Sequence, residues 1–225
     1  NTSLEYETGK NYVYSDLNFI TLGLVIEKIT GTSLSDFCNA EIFEPLNMKN
    51  STFTPSDIKH IAPTEYDGSW RKRLLKGEVH DEAASRMEGI SGNAGLFSNP
   101  RDIYTLVRTL LNEGKYYNPY TRGLREETLF KLETVNLFTS KYITDVYRNT
   151  RALGWDTKQE PIGKYRSACG EVISENCFGH TGYTGTSVWC DKDRKIIIIF
   201  LTNRVYPSRG NDGIREIRPD LHNLI

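Results

Sequence analysis

The chain is predicted to form an α+β fold, an antiparallel sheet flanked by helices, and two observations carry that expectation. Near the N-terminus and midway along the chain, apolar side chains recur at helical spacing between clear start and stop signals. The last third instead holds a Thr-, Gly- and aromatic-rich stretch from Phe178 to Cys190, a polar turn at Asp191–Arg194 and a β-branched run from Lys195 to Val205. Helices first and a hairpin plus helix last describe packed layers, not alternating strand–helix–strand units. At 225 residues, a single domain over 1–225 is expected.

Each element has a local cause. Ser15 and Asp16 offer N-cap oxygens ahead of Ile20, Leu22, Val25, Ile26 and Ile29, and Gly31 supplies a stop, so a helix with a wide buried stripe is expected there. Leu34, Phe37, Cys38, Ile42 and Phe43 keep helical spacing up to Pro45. From Leu46 to about Asn99 periodicity fades, and an irregular stretch of that length is uncommon unless it lines a site. Ser98 or Asn99 with Pro100 opens a helix whose Ile103, Leu106, Val107, Leu110 and Leu111 share a face, closed by Gly114. A further helix is expected over 125–135. The turn at 191–194 joins two extended segments into a hairpin, with Ile196–Ile199 buried on both faces. Residues 213–224 close the chain as an amphipathic helix carrying Ile214, Ile217 and Leu221, with Pro219 a candidate kink.

Composition excludes several function classes. The chain has 28 Lys and Arg against 29 Asp and Glu, a net charge of -1, which gives no electrostatic footprint for nucleic acid or an anionic membrane. Its longest apolar run, Ile196–Leu201, is far short of the roughly 20 residues that cross a bilayer, so no membrane span is expected. The four cysteines, at 38, 169, 177 and 190, show no C-x-x-C spacing. Free buried thiols are the expectation, with a Cys169–Cys177 bridge as the alternative. The histidines are scattered and form no zinc motif, no phosphate-binding glycine loop occurs, and neither a metal nor an organic cofactor is expected.

Two segments carry candidate chemistry. In Phe178-Gly-His180-Thr181-Gly182-Tyr183-Thr-Gly-Thr186, glycines inside a strand mark close approach by a backbone or ligand. The His-Thr pair there presents polar groups to an anionic or carbonyl-bearing substrate; the alternative is a merely flexible hairpin. At Tyr14-Ser15-Asp16, the Tyr is a candidate general base only if a nearby cation lowers its pKa from about 10; otherwise it is an ordinary amphipathic residue.

Together these segments resemble the serine β-lactamase and penicillin-binding-protein superfamily, specifically its class C-like branch of esterases and D,D-peptidases. Tyr14-Ser15-Asp16, in YSDLNFITLGLVIEKITG, is similar to the second motif, Tyr-x-Asn. His180-Thr181-Gly182, in FGHTGYTGTSVW, is similar to the third, of Lys-Thr-Gly type. EIFEPLNMKNSTF, IAPTEYD, GEVHDEAA and SGNAGLFSNPRDI resemble the intervening segments, and IREIRPDLHNLI the closing helix. The likeness covers nearly the whole chain and keeps the motif order, which implies a β-lactamase/transpeptidase-like fold.

The resemblance also implies a mechanism. An acyl-enzyme forms on a Ser-x-x-Lys serine, with Tyr14 as general base, the Tyr183 N–H in the oxyanion hole, and His180 and Thr181 holding the substrate's carboxylate or carbonyl. Gly182 lets substrate lie against the strand. His80, Asp81 and Glu82 fall at the family's rim loop, where His80 is a candidate substrate contact and solvated or helix-capping charges are the alternative. No Ser-x-x-Lys occurs within residues 1–13, and Ser56–Lys59 and Ser69–Lys72 match the bare pattern only downstream of Tyr14. The nucleophile is therefore expected on chain upstream of this one, completing the domain; a catalytically silent binding relative is the rival. Asp16 stands where the motif has Asn, an acceptor-only carboxylate for an amide donor, and His180 stands where it has Lys. Both changes favour an esterase-like or peptidase-like role on a small-molecule or peptide substrate over β-lactam hydrolysis. The resemblance alone favours a periplasmic or secreted location.

Overall fold

The computed structural model of the protein describes residues 3–121, 125–142, 151–161 and 166–225. Helix α1 (Asp16–Thr30) begins after Ser15 in extended conformation and ends at Gly31, whose φ of 72° is the left-handed geometry a C-terminal glycine permits. Helix α2 (Leu34–Cys38) runs directly into a single π-helical turn, Asn39–Phe43, that the spacing of apolar residues did not distinguish from a continuing α-helix.

The irregular middle contains one short hairpin, β1 (Tyr66–Asp67) with β2 (Arg73–Leu74), and helix α3 (Glu82–Arg86). Asp81 caps α3 by accepting from the Ala84 N–H at 2.7 Å, which is the capping alternative for that residue. Helix α4 (Pro100–Leu111) starts as its sequence directs, with Pro100 at the first turn and Asn99 Oδ1 accepting from Asp102 N.

Three expectations are corrected. Residues 125–135 do not form one helix: β4 (Glu126–Thr128) pairs antiparallel with β3 (Lys115–Tyr117), and helix α5 occupies Leu132–Thr139. Tyr116 and Asn118 donate to the two oxygens of Glu127, so cross-strand partners outweigh local helical preference there. Next, α1 buries only Gly23, while Leu17, Leu22, Leu24, Val25 and Ile29 are exposed among the described residues. Finally, every residue of β7 (Ile196–Phe200) is partly exposed, not buried on both faces; among the described residues β7 is an edge strand with a neighbour on one side only.

The main sheet is antiparallel in the order β5–β6–β7, with β5 at Cys177–Thr181 and β6 at Ser187–Asp191. Phe178 pairs with Cys190 and His180 with Val188, so these four share one face. That face packs on α4: Phe178, Cys190 and Val107 form a buried core with Ile103, Leu110, Leu111 and Trp155 around it. On the other face, Trp189 packs with Cys169, Ile173 and Cys177. Helix α6 (Ile214–Asn223) closes the chain with Pro219 inside it, and buries Ile214 while leaving Ile217 exposed. All four cysteines are free thiols, three of them buried. Among the described residues no helix is long and apolar enough to cross a membrane, and no three potential metal ligands cluster.

Candidate active site

The two segments singled out at opposite ends of the sequence meet. Tyr14 lies just ahead of α1 and His180 lies on β5, yet their ring centroids are 6.4 Å apart. The start of α1 is seated by glycine. A Cβ on Gly92 would fall 2.0 Å from the Phe19 carbonyl oxygen, and one on Gly23 would fall 3.3 Å from Gly92 N, so helix and loop touch backbone to backbone. At the other end, a Cβ on Gly179 would strike the Trp189 ring and the Val188 carbonyl, both at 2.4 Å, which explains a glycine inside this strand. Gly182 is held by its N–H to the Thr186 carbonyl (2.8 Å), and a Cβ there would meet Thr186 Oγ1. The glycine-rich segment is therefore an ordered β5–turn–β6 unit.

Between the two motifs lies a residue that sequence reading missed. Arg151 is buried at 9% exposure, and its guanidinium sits 5.0 Å from the centre of the Tyr14 ring. It donates to His180 Nε2 (3.1 Å) and pairs with Asp156. Asp156 is itself fixed by reciprocal backbone bonds with Gly179 along the outer edge of β5. Since the guanidinium has no acceptor, His180 Nε2 must accept, and Nδ1 carries the proton it gives to the Thr181 carbonyl at 2.9 Å. The positive charge beside His180 belongs to Arg151, paired with Asp156.

The Tyr14 phenol is held above its ordinary pKa of 10. Burial is the largest cause, the charge of Asp16 at the head of α1 adds to it, and Arg151 opposes both. Asp16 thus sits at the site and acts on Tyr14 through its charge.

Beyond Gly182, Tyr183 is exposed and touched by two side chains. His80 stacks on it at 5.6 Å between centroids, and the Arg204 guanidinium lies 4.3 Å from its ring centre. The Tyr183 N–H has no acceptor among the described residues. His80 is only 7% exposed; its Nε2 bonds Glu65 at 2.8 Å, and Arg209 bridges Glu65 and Glu82. Burial pushes Glu65 up, but the hydrogen bonds from Arg209 and His80 win and hold it at about 2. His80 therefore reaches the site through the Tyr183 ring. The downstream Ser-x-x-Lys matches are engaged elsewhere, since Ser69 donates to Asp67 and Lys72 to the Gly68 carbonyl, and Ser56 lies in an irregular loop.

Comparison with known proteins identifies the family. The "Beta-lactamase" family model matches residues 1–220. The chain belongs to the β-lactamase family. It is 37% identical over 216 residues to an N-acetylmuramyl-L-alanine amidase of Bacillus subtilis, covering 89% of this chain and 46% of that protein. A protein of Escherichia coli K12 provisionally named D-alanyl-D-alanine carboxypeptidase is 34% identical over 218 residues, 90% of this chain and 47% of its own length. The chain thus spans about half the length of these curated relatives. Among solved structures, a β-lactamase from Mycobacterium bovis superimposes with a TM-score of 0.66 at 16% identity, covering 97% of this chain and 65% of that one. EstCE1, described as a hydrolase with promiscuous acyltransferase activity, gives 0.64 at 20% identity, covering 97% and 58%. These likenesses establish the β-lactamase/transpeptidase-like fold.

Proposed function

We propose that this chain is the part of a serine hydrolase that carries the general base and the substrate-facing strand, acting through an acyl-enzyme on an ester, amide or cell-wall peptide. The observation that carries the reading is the meeting of Tyr14, Arg151 and His180 at the edge of β5. In this reading the attacking serine and its lysine come from a Ser-x-x-Lys segment N-terminal to Asn1. The exposed apolar side chains of α1 support it, because a helix apolar nearly all round normally lies inside a domain. So does the state of Tyr14: with burial and Asp16 raising its pKa, one guanidinium does not make a phenolate, and a second cation at the ring is what the chemistry needs.

The steps follow from the groups present. Tyr14 takes the serine proton as the serine oxygen attacks the acyl carbon, passes it to the departing alcohol or amine, and then takes a proton from the water that frees the acyl group and returns it to the serine oxygen. The Tyr183 N–H is a donor for the oxyanion, a role worth roughly 3 kcal/mol in the transition state. His180 and Thr181 line the strand edge, and Gly182 keeps the turn beside it small. Arg151, charge-paired with Asp156, orients His180, and His180 and Thr181 present their polar groups to an acyl donor's carboxylate or carbonyl. Relatives named for D-alanyl-D-alanine carboxypeptidase and muramyl-alanine amidase activity point to peptides of that type.

The test uses the protein extended upstream to include the Ser-x-x-Lys. Fluorescent penicillin or a fluorophosphonate is expected to label that serine, and Tyr14→Phe is expected to slow labelling by two to four powers of ten, the usual range for a lost general base (~10²–10⁴). No adduct with either probe overturns the hydrolase reading in favour of a binding relative. Normal labelling of Tyr14→Phe removes the tyrosine from the mechanism.

A further inference from the structure

Behind the site strand lies a pair of sulfurs that the chemistry above does not use. Cys177 opens β5 and Cys169 stands on the segment that leads into it; both are essentially fully buried, in one cluster with Ile173 and Trp189. Residues 170–176 separate them, and that loop is pinned at several points. The Glu171 and Val172 N–H groups donate to Asn223 Oδ1, Ser174 N–H to Asp191, and Lys158 Nζ to the Ile173 carbonyl at 3.0 Å. The two sulfurs are thus held in place by anchors on α6, β6 and the 158 region, independently of each other.

We propose that Cys169 and Cys177 are a disulfide-forming pair, closed by thiol–disulfide exchange as the chain folds in an oxidising environment. In the folded protein the groups around them are unequal. The Cys177 thiol hydrogen-bonds the Cys169 sulfur, Ser167 Oγ lies 3.0 Å from it, and the Lys158 ammonium is near; together these hold Cys169 below the ordinary thiol value. The same thiol–thiol bond and burial hold Cys177 above it. The exchange takes place before burial closes over both thiols, and it can open at Cys169. Its thiolate attacks one sulfur of a small-molecule disulfide such as oxidised glutathione and expels one glutathione thiolate, which takes a proton. Cys177 then loses its proton and attacks the Cys169 sulfur of the mixed disulfide, expelling the second glutathione. Two protein thiols are oxidised and one glutathione disulfide is reduced to two thiols. Cys190 is no competitor: it lies on the opposite face of the sheet, in the α4-facing core, and burial pushes its thiol up to about 12. Cys38 belongs to α2, in a different cluster.

The link would tie the 166–176 segment to the strand that carries His180, three positions beyond Cys177. The experiment refolds the protein in a glutathione redox buffer, denatures it without reductant, alkylates it with iodoacetamide and measures intact mass and linked peptides. Expected are two alkylated cysteines, Cys38 and Cys190, and a peptide pair joined through Cys169 and Cys177. Reductant is expected to lower Tm by roughly 5–10 °C, the size set by closing a short loop in a domain of this length. A Cys169→Ser/Cys177→Ser double variant loses that reductant sensitivity, and Cys190→Ser keeps it. Alkylation of all four cysteines after refolding, a link through Cys38 or Cys190, or a Tm indifferent to reductant each overturns the proposal. None of these readouts depends on hydrolase activity.

Discussion

At the scale of the residue, the site is a contest over one phenol. Tyr14 is useful as a base to the extent that its proton can leave, and its surroundings divide: burial and Asp16 hold the proton on, while Arg151, itself anchored by Asp156, draws it off. Asp16 is thus more than a missing amide donor, because it acts against Tyr14 by charge. Its replacement has a definite sign. A base works when deprotonated, so the acylation rate climbs with pH through the Tyr14 pKa. Asp16→Asn removes a negative neighbour and lowers that pKa, so in the upstream-extended protein the rising limb moves to lower pH by roughly half a unit or more. Fluorescent-penicillin acylation measured as a function of pH checks it; a limb that stays in place, or moves to higher pH, removes Asp16 from the electrostatics of the base.

At the scale of the element, what sets the position of Tyr14 is how α1 sits on the loop at Gly92. Alanine at Gly92 would drive a methyl carbon into the Phe19 carbonyl, a backbone atom that cannot step aside. Gly92→Ala is expected to cost about 3 kcal/mol, the upper part of the range for overpacking, and to slow acylation as α1 is displaced. Gly210→Ala, with nothing closer than Ser208 Oγ at 3.8 Å, is the control and stays near wild type. Urea unfolding decides between them: equal midpoints for the two variants would show that the α1–loop contact is not tight. Much of this element-level picture was legible in the sequence. Gly31, Asn99 and Pro100 marked helix ends correctly because capping is local chemistry, whereas Ser15 precedes α1 without the side-chain capping bond expected of it. Strands β3 and β4 were not legible, being three residues each and held by partners about ten residues away in the chain. Burial of α1 and β7 was misjudged for a related reason: apolar spacing says which side wants cover, while the cover comes from elsewhere in the fold. The Tyr14 and His180 motifs could be read directly. Arg151 could not, since the Asp156–Gly179 bridge and its own bond to His180 hold it at β5 and no motif marks it.

At the scale of the whole molecule, two buried titratable groups in different surroundings give acid stability a two-step shape. His222, on α6, has neither ring nitrogen hydrogen-bonded among the described residues, and burial, aided by the neighbouring Arg218 charge, pulls its pKa down to about 4 from an ordinary 6.5. Between those values the unfolded chain binds a proton that the native state refuses, so stability is fully present above pH 6.5 and falls as pH drops towards 4. The loss amounts to as much as about 3 kcal/mol for this histidine. Glu65 titrates lower: its stabilising hydrogen bonds with Arg209 and His80 are intact above its unfolded value of 4.5 and are lost as pH falls towards about 2. The first acid step therefore belongs to the α6 side of the sheet and the second to the network behind Tyr183. His222→Gln is expected to flatten the decline between pH 6.5 and 4 while leaving the lower one, and Glu65→Gln to do the reverse at some cost in stability at neutral pH. Urea midpoints from pH 7 to pH 3, followed by tryptophan fluorescence, test this directly. A His222→Gln protein that loses stability from pH 6.5 to 4 as steeply as wild type would assign the first step to another group.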